Sequence, residues 1–350
     1  DNDESSVWVA TSLGLNLFDK TTKTFSHFLP EPENESPTGA NEIRSILKTA
    51  KKSIYVGTQK GPFTFSPQRG LFTPILDHTG HNLGQVNSMI EDHEGFVWFV
   101  TSKGVFRTSD TSAHVEKLRL EHNNGLRIIF EDRSNALWVT SEIHGIFKLT
   151  ANRKFNAINS NKLQAPNGIS IDANGDLLIL SSSSQLFKWN VTSKKLEQLS
   201  APIFTTENGY GENRLLERPI IYAVGSESLW LAQDEGLAHF NLQTKHVEII
   251  RYPIGDPNYK EFRELRALSM DKNGLLWIGT YKNGVYLYDT VNRKFSHLDD
   301  SFGLSHPEIL KIFKDNQQNM WVGTGNGVNI WNEPMQRFFS FESADVKAGG

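Results

Sequence analysis

Apolar and polar residues alternate along this chain in short runs, and one phrase of that alternation recurs eight times. It runs apolar, Trp, apolar, small, Thr, followed by a few polar residues, a Gly and a second alternating apolar run. Three copies are nearly identical: Tyr55-Val56-Gly57-Thr58, Trp277-Ile278-Gly279-Thr280 and Trp321-Val322-Gly323-Thr324. The others are anchored at Trp8, Trp98, Trp138, Leu178 and Trp230, the Leu178 copy having lost its Trp. Successive anchors lie 47, 43, 40, 40, 52, 47 and 44 residues apart. A period of roughly 40–50 residues marks a repeat array in which each unit is one supersecondary element.

Each unit reads as four short strands. The first spaces its apolar residues two or three apart and ends in an acidic turn, as in Val86 to Asp92. A hairpin turn follows, often Asp-x-x-Gly (Asp92 to Gly95, Asp172 to Gly175, Asp271 to Gly274), where Gly supplies a positive φ. The Trp phrase is the second strand. The third resembles Gly284 to Asp289, and the fourth is a Lys/Arg-x-Phe strand such as Lys154-Phe155 or Lys294-Phe295. Short strands rich in Val, Ile, Phe, Trp and Thr with turn residues every 8–12 positions predict an all-β chain. No window carries a sustained 3.6-residue apolar stripe, so few helices are expected.

A four-stranded antiparallel sheet that is apolar on both faces must stack on copies of itself. Radial stacking makes each sheet a blade of a β-propeller, which protects most strand edges by repetition. Seven complete units begin near Ile43, Val86, Leu126, Ile169, Ile220, Leu265 and Ile309. Residues 7–28 supply a second, third and fourth strand without a first, and Asp1 reads as the end of an acidic turn whose strand lies upstream. The strand count therefore gives eight blades, with seven blades plus an N-terminal ribbon as the alternative. The predicted organisation is a single propeller domain over residues 1–341 and a tail or linker over 342–350.

Composition narrows the function. Basic and acidic residues are interspersed, 36 against 40, for a formal charge of −4, which offers no basic stripe for nucleic acid. No apolar run approaches the roughly 20 residues of a membrane-spanning helix. The opening residues do not have the pattern of a secretory leader, which an upstream segment would have to carry. Cysteine is absent, so thiol catalysis, disulfides and thiolate metal sites are ruled out; the cytoplasm and the periplasm both fit.

The repeat, seen almost whole in Met89 to Arg107, Leu268 to Phe295 and Ile312 to Phe338, resembles the two-component regulator propeller repeat. The resemblance covers residues 1–341 and is weakest at Leu177 to Asn190. It implies the periplasmic input region of a membrane-bound hybrid histidine kinase or diguanylate cyclase. In that family many of the kinases are implicated in sensing carbohydrate fragments. Expected partners are a small-molecule or oligosaccharide ligand and neighbouring domains of the same receptor, which itself can be a homodimer. The repeat motif is structural and transfers no ligand residues.

No Gly-x-Ser-x-Gly elbow, Walker loop or His-Glu-x-x-His occurs, and the eleven His residues lack metal-ligand spacing, so neither a cofactor nor a catalytic set is implied. Asp172 to Asp176 is too short for a calcium loop. The repeated Trp, Phe and Tyr residues are expected to be inter-blade core, and the repeated Thr to bond a neighbouring turn.

Position supplies the remaining candidates. The first strand of each blade lines the channel of a propeller. Aligning these strands on the acidic turn puts Arg44, Asn87, Arg127, Asn167, Ile221, Arg266 and Leu310 in register. The loops after the Trp strands bring Lys60, Lys103, His144, Asp234, Tyr281 and Asn326 to the same face. The ligand-binding candidates are Arg44, Asn87, Arg127, Asn167, Arg266, His144, Tyr281 and Lys103. An Arg fork holds carboxylates, sulfates or sugar hydroxyls, although polar groups here also serve simply to hydrate the channel mouth. Three functions stay open: a sensing module without chemistry, a lyase or hydrolase on the same scaffold, or a protein-docking propeller. Aromatics in the longer connections (Phe204, Tyr210, Tyr252, Tyr259, Phe262) are expected to form a lid or an inter-propeller contact.

Overall fold

The computed structural model describes residues 5–33, 39–109, 115–158, 163, 166–172, 174–181, 183–204, 220–224, 227–233, 236–253, 262 and 264–341. Eight sheets follow one another along the chain, and the fold is an eight-bladed β-propeller. The only helix among the described residues is a 3-10 turn at Asp300–Phe302. Cα packing groups the first four blades in one compact unit, residues 2–167, and the last four in a second that begins at Gly168.

In every blade the Trp phrase is the second strand: Ser6–Thr11, Ile54–Thr58, Phe96–Thr101, Leu137–Ser141, Leu177–Ser181, Ser228–Gln233, Leu275–Thr280 and Met320–Thr324. In blades 2 to 8 it pairs with a first strand: Ile43–Lys48, Val86–Glu91, Leu126–Glu131, Pro166–Ile171, Ile220–Val224, Leu265–Met270 and Ile309–Lys314. Neighbouring first strands adjoin in blades 2 and 3, 3 and 4, 6 and 7, and 7 and 8, and form the inner edge of these blades. Blade 1 has three described strands. It nevertheless packs as a blade rather than a ribbon, because Trp8 meets Phe65 of blade 2 edge-on at 5.5 Å. One element was not foreseen: Arg119–Leu120 pairs in parallel with Lys154–Phe155 and adds a fifth strand to blade 4.

The core repeats with the blades. Trp98, Trp138, Trp277 and Trp321 are each 1% exposed. Trp98 packs against Phe155 of the next blade, Trp230 against Tyr288, and Trp277 against Trp331 and Phe338. Each buried side chain of this size contributes about 1.5–3 kcal/mol. Gly57 and Gly279 are required by the same stacking. A Cβ on Gly279 would stand 2.4 Å from Ile309 Cγ2, and one on Gly57 would stand 2.7 Å from Val86 Cγ1. The second strand can therefore meet the inner strand of the next blade only without a side chain there.

The long connections differ from expectation. Phe204 is buried with Ile203 against Leu178 and Leu180, and Tyr252 and Phe262 stack at 5.5 Å against Tyr286 and Phe295. These three rings are core, since apolar area removed from water outweighs their place in irregular chain. Tyr210 and Tyr259 lie outside the described residues.

Candidate functional site

The two ends of the strands carry different chemistry. At the acidic-turn end, one carboxylate does two jobs. Asp92 Oδ1 accepts the N–H groups of Glu94 and Phe96, closing the turn, while Oδ2 accepts the indole N–H of Trp98 at 2.7 Å. Asp132 and Trp138, Asp271 and Trp277, and Asp315 and Trp321 repeat this at 2.8, 3.1 and 2.8 Å. The fourth turn residue has positive φ whether it is Gly95, Asn135, Gly274 or Gln318. The constant six-residue spacing from Asp to Trp was visible in the sequence, yet its meaning was missed. Blade 5 has Leu178 where the Trp belongs. There Lys188, directly across from Leu178 in the next strand, reaches Asp172 Oδ2 at 2.8 Å and Asp176 Oδ2 at 2.9 Å. Its ammonium occupies the position between the two carboxylates. Burial alone would raise the Asp176 carboxyl, but hydrogen bonds from Lys188, the Val191 N–H and Asn190 outweigh it and hold the group below its ordinary value. Among the described residues no group of three His, Cys, Asp or Glu side chains is placed to hold a metal.

At the other end, the Thr of the phrase closes the turn between second and third strands, as expected. Thr58 Oγ1 donates to Gly61 O at 2.8 Å and accepts the N–H of Lys60; Thr101 and Thr324 do the same. This is the face of the predicted site, and the residues aligned in register share a geometric cause. The pairing of first and second strands slips between Ile43 and Ser45, Val86 and Ser88, Leu126 and Ile129, Leu265 and Ala267, and Ile309 and Lys311. Arg44, Asn87, Arg127, Arg266 and Leu310 are thus β-bulge residues, left out of the ladder and re-aimed. Ile221 sits in an unslipped pair opposite Leu231. The side chain of Asn167 and residue Asp234 lie outside the described residues.

The bulge side chains are engaged differently. Arg44 pairs with Glu42 of its own strand entry, Nη2 to Oε1 at 2.9 Å. Arg127 pairs with Glu142, in the same loop as His144. Asn87 Nδ2 donates to Leu126 O of the next blade at 2.7 Å, which makes it a tie between inner strands. Lys103 Nζ is held by Asn82 O and Oδ1, both at 2.9 Å, and Lys60 by Glu31. His144 lies face to face with His122, ring centroids 4.1 Å apart. The Asn326 N–H is held by Thr324 Oγ1. Arg266 has no carboxylate partner among the described residues. Its guanidinium lies over the Tyr281 ring, 4.6 Å from the centroid, and its Nε is buried without an acceptor. Two of the candidates, Arg266 and Tyr281, are therefore in direct contact, and the rest are distributed along the inner edge and loops of their own blades.

Comparison with known proteins follows the fold. Virginiamycin B lyase from Staphylococcus aureus superposes with a TM-score of 0.56 at 12% identity, over 75% of this chain and 85% of the lyase, a likeness of fold. The extracellular domain of the putative one component system BT4673 from B. thetaiotaomicron aligns over 98% of this chain at 18% identity and a TM-score of 0.41, covering 54% of that domain. A stretch of 109 residues is 22% identical to Histidine kinase P4 of Formosa agariphila; it makes up 30% of this chain and 8% of the kinase. The chain thus spans a small part of that relative's length and about half of the BT4673 domain. Residues 303–326, in blade 8, match the family described as the two component regulator propeller, and the phrase they contain recurs along the chain, with its Trp lost in blade 5.

Proposed function

We propose that this propeller is the non-catalytic, extracytoplasmic sensing region of a membrane-bound signalling receptor. Its ligand is an oligosaccharide or another polar small molecule, taken up on the face where the inner strands bulge. One observation carries the reading: inner strands in each unit break their ladders at the same step, leaving Arg44, Asn87 and Arg127 out of the pairing in the first unit, with His144 in a loop there, and Arg266 and Leu310 in the second, with Tyr281 in a loop there. Binding residues concentrate where a rigid scaffold holds loops. The repeat family and a relative that is a histidine kinase support a signalling context. A ligand drives such a receptor only by preferring one of its arrangements over another.

The test is a thermal-shift and calorimetric screen of the chain against neutral and acidic oligosaccharides, with chromatography of each ligand afterwards. A raised midpoint with the ligand recovered unchanged is the expected result. Cleavage or elimination products would replace the sensor with an enzyme. A screen in which no saccharide raises the midpoint would remove the oligosaccharide from the reading.

A further inference from the structure

We propose that Arg266, Tyr281 and Lys282 form an anion subsite on blade 7, which receives a carboxylate or sulfate group of the ligand. The inference rests on the sensing reading above and narrows it to acidic ligands. Two cations converge on one ring. The Arg266 guanidinium lies 4.6 Å from the Tyr281 centroid and the Lys282 ammonium 5.3 Å from it. A ring quadrupole attracts a cation but does not neutralise it. The other bulge arginines carry their own counter-charges, Glu42 for Arg44 and Glu142 for Arg127. Among the described residues, neither Arg266 nor Lys282 has one.

The Arg266 Nε strengthens the assignment. It is buried and meets no acceptor, whereas a buried guanidinium N–H ordinarily finds one. Tyr281 is itself fixed, since its N–H donates to Glu264 O at 3.0 Å and so pins the loop to the entry of the inner strand. The ring therefore holds the guanidinium in one orientation before any ligand arrives. A pre-oriented fork favours oxyanions with two oxygens placed to accept parallel N–H bonds, as carboxylate and sulfate groups have. Beside it, the bulge of the adjoining inner strand presents Leu310, 58% exposed, so an apolar surface borders the charged one. An anionic group on an otherwise uncharged body matches that pair of surfaces better than a small inorganic ion does.

The experiment uses nitrogen-labelled protein and reads the Arg Nε–Hε resonances, that of Arg266 being assigned by its loss in Arg266→Gln. Three additions are compared at constant ionic strength: sodium sulfate against sodium chloride, trigalacturonate, and the methyl ester of the same trisaccharide. A saturable shift of the Arg266 resonance with sulfate and trigalacturonate, absent with chloride, is expected. Trigalacturonate should bind about tenfold or more tighter than its ester, a gap of about 1.4 kcal/mol or more. Arg266→Gln and the exposed Lys282→Gln should each narrow that gap, and Lys282→Gln keeps the test available if Arg266→Gln does not fold. No saturable shift with either anion overturns the subsite and leaves the sensing reading standing. Equal affinity for acid and ester likewise overturns it, while leaving an oligosaccharide as the ligand. A response to sulfate with no affinity for either trisaccharide supports the subsite and removes the oligosaccharide from the wider proposal.

Discussion

Lys188 Nζ lies 2.8 Å from Asp172 Oδ2, the oxygen that in four other blades accepts the indole N–H of the repeat Trp. The fifth blade, which in sequence reads as degraded, has kept the carboxylate and changed its donor. Replacing Lys188 with Met leaves two buried carboxylates facing each other, and we expect a loss of about 3–5 kcal/mol at neutral pH. The sign of the pH dependence also changes. Asp176 is held below its ordinary value in the folded chain, so its contribution is complete above the unfolded value of about 3.9 and is lost as pH falls through the lower folded value. Without Lys188, burial raises the Asp176 carboxyl, and the variant gains stability as pH falls from neutrality toward about 4.5. Urea midpoints of both proteins at the two pH values decide this, and a variant with wild-type midpoints at both would show that the triad is not stabilising.

The glycine of the repeat phrase should matter only where another blade leans on it. Gly279→Ala forces a Cβ to within 2.4 Å of Ile309, and overpacking of this kind costs about 1–3 kcal/mol. At Gly323 the nearest atom to an added Cβ is Lys311 O at 3.8 Å, so Gly323→Ala is expected within about 0.5 kcal/mol of wild type. Chemical denaturation of the two variants in parallel checks the contrast, which equal losses would contradict.

Trp277→Ala removes a side chain that fills the space between blades 7 and 8 and leaves the Asp271 Oδ2 acceptor without its indole donor. A large-to-small change in a core costs about 3–5 kcal/mol. Trp277→Phe keeps most of the volume and isolates the hydrogen bond, with an expected loss of about 1–3 kcal/mol. An alanine variant as stable as wild type would mean the ring is not core.

His93 spans blades 3 and 4. It bonds Glu131, and this bond, with the charges of Glu131, Asp92 and Glu94, raises the imidazole above its ordinary value. A raised value stabilises fully below the unfolded value of about 6.5 and loses that contribution as pH rises through the folded value. Nuclear magnetic resonance titration should place the His93 midpoint above that of an unfolded His, and His93→Gln should flatten the stability profile between about pH 6 and 8. A His93 midpoint at or below the unfolded value would remove the inter-blade pair.

The array, the strand order and the role of the Trp phrase were legible because each is enforced eight times by the same packing. The alignment of Arg44, Asn87, Arg127 and Arg266 was legible too, although it recorded a ladder slip rather than a row of free groups. What the sequence hid was partnership. Glu42 and Glu142 lie close in the chain to the arginines or their loops, but 40 acidic residues make such proximity uninformative. Asn87 looked like a free amide because its acceptor, Leu126 O, is a backbone group 39 residues away. Tyr252 and Phe262 sit outside the period, so nothing in the repeat predicted their burial against Tyr286.

A residue left out of a ladder is not fixed in kind by the strand pairing around it. At one and the same step the chain tolerates a cation, an amide and an exposed leucine without disturbing the strands on either side. Drift can therefore rewrite the inner face one blade at a time, as letters are changed in a fixed line of type, while the scaffold stays as it is.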